Sequence, residues 1–357
     1  MELKNAKILG PDFSFSEGSL FFDEHIQKTA VGGEVIDAGG AYVVPGFIDI
    51  HTHGVLGFEA NSDDVDFDRW QQFLLEKGVT TFIPTTVTDT HDRILYAMDK
   101  LKKAVGLNLE GPYISIPKRG AHVAEKIRGV DLAFLKQVKD RVVMTTIAPE
   151  VDQNLDAISA VCDMGIKVSL GHSTADYETA SKGFAAGATQ ITHIFNGCPP
   201  LEHREPGLVG AALDNESVFC EVICDGIHLH PAIVRMLYHL LGTDRMILIS
   251  DAISPTGLDD GEYTLGGLDV FVKNSQARLA DGRLAGSTIT LYDAVRRAVG
   301  FGIPLADAVK MATLTPARAI GMENAIGSLD EGKDADIVVL NEDLSLRHVF
   351  YKGKQIL

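Results

Sequence analysis

Eight short apolar runs, about 25–30 residues apart, constrain the fold of this chain more than any other feature. They are GFIDI (46–50), VTTFIP (79–84), VGLNLE (105–110), RVVMTTIA (141–148), GIKVSL (165–170), ATQITHI (188–194), VFCEVIC (218–224) and RMILIS (245–250). Short runs rich in β-branched residues read as buried strands. Helix-like stretches lie between most of them, such as Asp66–Glu76, Arg93–Ala104, Asn154–Met164 and Pro231–Leu241. Strand–helix alternation repeated eight times predicts an α/β chain with a parallel (β/α)8 TIM-like barrel. A doubly wound open sheet is the alternative reading of the same count.

The two ends differ from the middle. Residues 1–44 and 325–357 are strand- and turn-like, and neither piece is long enough to bury a core alone. They are expected to pair into one small β-sandwich domain built from both termini, flanking a hydrolase barrel over 45–324. A segment at about 261–284 reads as a β-hairpin insertion after the eighth strand.

Composition sets boundaries on partners and compartment. The 357 residues carry a formal net charge of −17, which argues against nucleic acid or an anionic membrane as a partner. No apolar run approaches the roughly 18–20 residues of a membrane helix. The beginning of the chain has no basic-then-apolar signal pattern. Cys162, Cys198, Cys220 and Cys224 lack disulfide-framework or zinc-ribbon spacing. A cytoplasmic location is expected. An anionic substrate would need local positive charge in its site against this acidic background.

In such barrels the site forms at the C-terminal ends of the strands. The first run ends in His51-Thr52-His53. Residues two apart on a strand share a face, so both imidazoles project together. Gly54 then lets the chain turn away. The third run ends in Glu110, the fifth is followed by His172, the sixth runs into His193, and the eighth ends in Asp251. Four histidines and two carboxylates on one rim form a ligand set for a divalent metal such as zinc or iron, with manganese or cobalt acceptable. The fourth run contains no lysine, so Glu110 is the available bridging carboxylate.

These residues sit in a longer series: PGFIDIHTHG, LEGPYIS, KRGAH, GHSTA, THIFNG, REPGLVGA, ICDGIHLHP, SDAISPTG, LAGS, TPARAIG and GKDADIVVLN. The series resembles the amidohydrolase superfamily and, within it, the N-acetylglucosamine-6-phosphate deacetylases, over nearly the whole length. The resemblance implies hydrolysis of the acetamide of a 6-phosphorylated N-acetyl amino sugar. It assigns Glu110, His172 and His193 to a principal metal, and His51 and His53 to a second ion that some members lack. One or two ions per subunit are therefore expected. Asp251 is implied as the general base that later protonates the leaving amine, and His122 of the GAH motif as the group that polarises the carbonyl. Substrate contacts are implied for Ala121, His122, Asn196, Gly197, Arg204, Asp225, His228, Leu284, Ala285 and Gly286. Arg204 is the expected main phosphate ligand, and its contact and that of His228 can cross the interface of a homodimer or higher homo-oligomer. The galacto epimer is the nearest rival substrate. A cyclic-amide hydrolase or deaminase is a more distant one, disfavoured by the missing lysine and by the segment around Arg204.

Overall fold

The computed structural model describes residues 1–30 and 32–357. Its central sheet has eight strands: β1 (Phe47–Thr52), β2 (Val79–Thr86), β3 (Leu107–Glu110), β4 (Val142–Ile147), β5 (Lys167–Leu170), β6 (Gln190–Ile191), β7 (Phe219–Ile223) and β8 (Met246–Ile249). They pair in sequence order and every pair is parallel. The expected barrel is therefore the fold, and all eight predicted runs supply its strands. Almost every strand residue is buried, as parallel strands covered on both faces require.

The seam between β8 and β1 is closed by a few bonds at the rim where the site lies. Asp251 N–H donates to His51 O at 3.0 Å, and His53 N–H donates to Ala252 O at 2.7 Å. Ser250 Oγ donates to the buried Asp49 carboxylate at 2.5 Å. The main chains of His51 and His53 are thus tied to the segment that carries Asp251.

The covering helices begin where local chemistry caps them. Asp66 accepts from Arg69 N–H ahead of α1 (Phe67–Leu75), and Thr90 accepts from Arg93 N–H ahead of α2 (His91–Lys100). The Thr90 cap starts α2 two residues before the expected Arg93, because a side-chain acceptor satisfies an otherwise orphan N–H there. The remaining helices between barrel strands are α3 (Leu132–Val138), α4 (Asn154–Asp163), α5 (Tyr177–Ala185), α6 (Gly207–Asp214) and α7 (Pro231–Arg245). After β8 come α8 (Leu291–Gly300), α9 (Leu305–Met311) and α10 (Leu314–Ile320).

Both ends of the chain enter one separate mixed sheet. Ile337–Leu340 pairs antiparallel with Tyr42–Pro45, which in turn lies parallel to Glu2–Leu9. Leu3, Phe22, Val43, Ile337, Val339 and Phe350 form its own core. A third sheet, antiparallel, is inserted after β8: Gly261–Leu265, Leu268–Lys273 and Gln276–Leu279. Its apolar face packs Val270, Val272, Ala277 and Leu279 on Val87 and Ile253, which follow β2 and β8. The insertion therefore stands over the C-terminal rim as one wall of the site. Among the described residues no helix is long and apolar enough to cross a membrane.

Candidate active site

The strand ends bring His51, His53, Glu110, His172, His193 and Asp251 into one buried cluster, as the sequence predicts. Glu110 is at its centre. Its Oε1 lies 2.8 Å from His193 Nε2, 3.0 Å from His172 Nε2 and 3.5 Å from His51 Nε2. Its Oε2 lies 3.1 Å from His53 Nε2. One carboxylate thus faces two pairs of imidazoles, which is the placement a bridging ligand needs.

Backbone conformation aims these groups inward. His172, His193 and Asp251 all have positive φ, at 45°, 26° and 49°. Non-glycine residues there cost about 1–3 kcal/mol each and are held only by their surroundings. The sharp left-handed turns explain why β6 is short. It stops at Ile191, and the expected strand through Ile194 is broken so that His193 can turn into the barrel mouth. Gly54 serves a different purpose from the one expected. It lies in a short extended pair, and a Cβ there would sit 2.1 Å from Phe58 O, so close backbone approach demands glycine. Gly286 has φ of 66°, and its Cβ would meet Asp251 O at 2.9 Å.

The second nitrogen of each histidine fixes what the first can do. His53 Nδ1 faces Thr85 O at 3.0 Å, His172 Nδ1 faces Lys118 O at 2.7 Å, and His193 Nδ1 faces Asn196 O at 3.2 Å. His51 Nδ1 faces Glu221 Oε2 at 3.0 Å. All four partners accept and none donates, so each Nδ1 carries the hydrogen. If neutral, the rings would point four Nε2 lone pairs at one another: His51 and His53 at 3.3 Å, His172 and His193 at 3.1 Å. Lone pairs in such contact need a cation between them. The electrostatics agree. Burial alone would depress His51 and His53, but Glu110, with Glu221 and Asp251, holds His51 well above the ordinary value and His53 up to about 9. Burial likewise opposes and fails to prevent the lowering of Glu110 by the surrounding imidazoles. A site that draws protons onto its imidazoles this strongly fits a divalent metal.

His122 is wired the opposite way. Its Nδ1 accepts from Thr88 N–H at 3.1 Å, because a backbone amide can only donate. Its hydrogen is therefore on Nε2, which faces Glu110 Oε2 at 3.2 Å. Burial pushes its pKa down to about 4, so the ring stays neutral. His122 lies within ligand distance of Glu110 and His172. Its tautomer nevertheless makes it a donor into the cluster, not a ligand.

The cluster forms the floor of a cavity of about 300 Å³. That is near the lower end of the roughly 300–1,000 Å³ typical of small-molecule sites. Of the sequence-predicted contacts, Ala121, His122, Asn196, Gly197, His228, Leu284 and Gly286 line it. Asp225, Ala285 and Arg204 do not. Asp225 is buried and accepts from Ile227 N–H, His228 N–H and His228 Nδ1–H at 2.7–2.8 Å, so it positions His228. Ala285 is buried in the insertion's core and its N–H donates to Ala277 O. Arg204 is exposed, beside His203, away from the cavity of its own chain. Two cations that the sequence reading did not select do line the cavity: Lys118, whose Nζ donates to Cys198 O, and Arg283, which donates to Gly120 O. Arg283 immediately precedes the LAGS segment, which was the available signal. Glu221 was also missed, although a lone carboxylate inside the apolar run VFCEVIC marks it.

A barrel with this rim of histidines and carboxylates defines a hydrolase of the amidohydrolase type, and the model of the Amidohydrolase family matches residues 42–356. The chain belongs to that family and, within it, to the N-acetylglucosamine-6-phosphate deacetylases. It is 36% identical to the N-acetylglucosamine-6-phosphate deacetylase of Vibrio furnissii, over 90% of this chain and 85% of the relative. It is 34% identical to the N-acetylgalactosamine-6-phosphate deacetylase of Escherichia coli O157:H7, over 90% of this chain and 89% of the relative. A solved structure of a mutant N-acetyl-D-glucosamine-6-phosphate deacetylase from Mycobacterium smegmatis, in complex with N-acetyl-D-glucosamine-6-phosphate, superposes with a TM-score of 0.93 at 34% identity. The match covers 100% of this chain and 99% of that one.

Proposed function

We propose that this enzyme hydrolyses the acetamide of N-acetyl-D-glucosamine 6-phosphate to D-glucosamine 6-phosphate and acetate, using one or two divalent ions. The convergence of four Nδ1-anchored imidazoles on Glu110, with Asp251 beside them, carries the reading. Glu110, His172 and His193 would hold the principal ion, and His51 and His53 the second, with Glu110 between them. When bound, such an ion supplies Lewis acidity, making water acidic enough to ionise near neutral pH and polarising the amide carbonyl. Zinc and iron suit the nitrogen–carboxylate set best, and manganese and cobalt are acceptable.

The chain's own groups do the rest. Asp251 takes the proton from the attacking water and returns it to the departing amine. His122 donates its Nε2–H to the carbonyl oxygen as negative charge develops there. Asn196, Gly197, Ala121, Leu284 and Gly286 shape the sugar pocket, and Asp225 holds His228 toward it. Lys118 and Arg283 supply positive charge for the phosphate from within this chain. Arg204 is exposed and outside its own cavity, and its role would be at a neighbouring subunit's phosphate site in a homodimer. The four cysteines are unpaired and three are buried, which suits a reducing cytoplasm.

Two measurements test this reading. Chelation of the purified protein is expected to abolish acetate release, and zinc or iron is expected to restore it. Full activity after complete removal of metal, followed by elemental analysis, overturns the metal role. Replacing Arg283 by Ala is expected to raise KM for the 6-phosphorylated sugar about 10-fold, the low end for a charge-assisted hydrogen bond, with little change in kcat. An equal rise for the unphosphorylated sugar removes Arg283 from phosphate binding. The E. coli O157:H7 relative makes the galacto epimer a second reading, which side-by-side kcat/KM values on the two sugars decide.

A further inference from the structure

Glu221 is the one acidic residue of β7, and it is fully buried. Its Oε2 makes both of its contacts: His51 Nδ1 at 3.0 Å and His193 N–H at 3.2 Å. Oε1 has no hydrogen-bond partner among the described residues. A buried carboxylate with an unsatisfied oxygen is expensive, and neutral acceptors would serve a purely architectural bond at lower cost. Thr85 O, Lys118 O and Asn196 O do that work for the other three imidazoles. His51 alone is backed by a negative charge.

We infer that Glu221 is a positioning residue that sets the affinity of the second ion by acting through His51. It fixes the hydrogen on His51 Nδ1, orients Nε2 toward His53 and Glu110, and makes that nitrogen a stronger donor. Its charge offsets that of the additional ion. A carboxylate behind a metal-binding imidazole has this effect generally, and its removal costs about 10–100-fold in metal affinity. The bond to His193 N–H is through the backbone and leaves the His193 ring to Asn196 O. The effect should therefore fall on one ion and spare the other. The inference rests on the two-ion part of the reading above. It is independent of which sugar is cleaved.

Zinc titration of metal-free protein by calorimetry, with competing chelator, tests this without an activity readout. Wild-type protein is expected to take up two ions. Glu221→Gln keeps the shape and removes the charge. It is expected to weaken the second ion about 10–100-fold and leave the first unchanged. Glu221→Ala should weaken it at least as much. In a His51→Gln background, which removes the one second-site imidazole that Glu221 touches, Glu221→Gln should cause no further loss. Wild-type affinity for both ions in Glu221→Gln overturns the inference. So does equal weakening of both ions, a further loss in the His51→Gln background, or uptake of a single ion by wild-type protein. Should Glu221→Ala lose its folded circular dichroism, Glu221→Gln alone decides. Acetate release, measured separately, tests the deacetylase reading on its own.

Discussion

Replacing Asp251 by Asn is expected to leave metal content and substrate binding in place while kcat falls by about 10²–10⁴-fold, the contribution of a positioned general base. The side chain is buried at the mouth of β8, with Oδ1 3.3 Å from His53 Nε2 and 3.6 Å from His51 Nε2. Burial alone would raise its pKa, but the hydrogen bond from His53 and the charge of the neighbouring imidazoles prevail and keep it low. Asp251 is thus ionised and ready to accept a proton at neutral pH. The amide of Asn fills the same volume and cannot take that proton. Steady-state kinetics with metal analysis, and binding of the intact sugar phosphate to the inactive variant, check the result. A kcat equal to wild type removes Asp251 from proton transfer, and loss of metal makes it a ligand instead.

Replacing His122 by Ala is the second large effect. In the proposed reaction the Nε2–H donor acts on developing charge, so its removal should cost about 2.7–4 kcal/mol, or roughly 10²–10³-fold in kcat. Metal stoichiometry should stay at the wild-type value, because the lone pair of His122 is on Nδ1 and faces Thr88 N–H. The histidines on β1, and those after β5 and β6, should behave in the opposite way and lose metal on substitution. Elemental analysis of the His122 and His172 variants side by side separates donor from ligand. If the His122 variant loses an ion, the tautomer argument fails.

Much of this site is legible in the sequence because its residues sit at strand ends, and strand ends follow from apolar runs. His51 and His53 share a face through the two-residue period of β1, and Glu110 and Asp251 follow directly from where β3 and β8 stop. Other features depend on contacts between distant segments. Glu221 meets His51 only because the barrel curls β7 and β1 toward a common centre. The state of His122 is set by a backbone amide thirty-four residues away. Arg283 reaches the cavity because the inserted sheet leans over the rim, and only its place just before the LAGS segment hints at that. Arg204 shows the converse: a motif points to it, yet one folded chain leaves it in solvent.

The strand Tyr42–Pro45 has a consequence for how this enzyme comes into being. It runs through Gly46 straight into β1, and its partner on one side is Ile337–Leu340, supplied by the far end of the polypeptide. The lead-in to His51 and His53 therefore lacks this brace until residues 337–340 have been made. Loss of residues 337–340 to a protease would unbrace that lead-in without touching a single residue that lines the cavity.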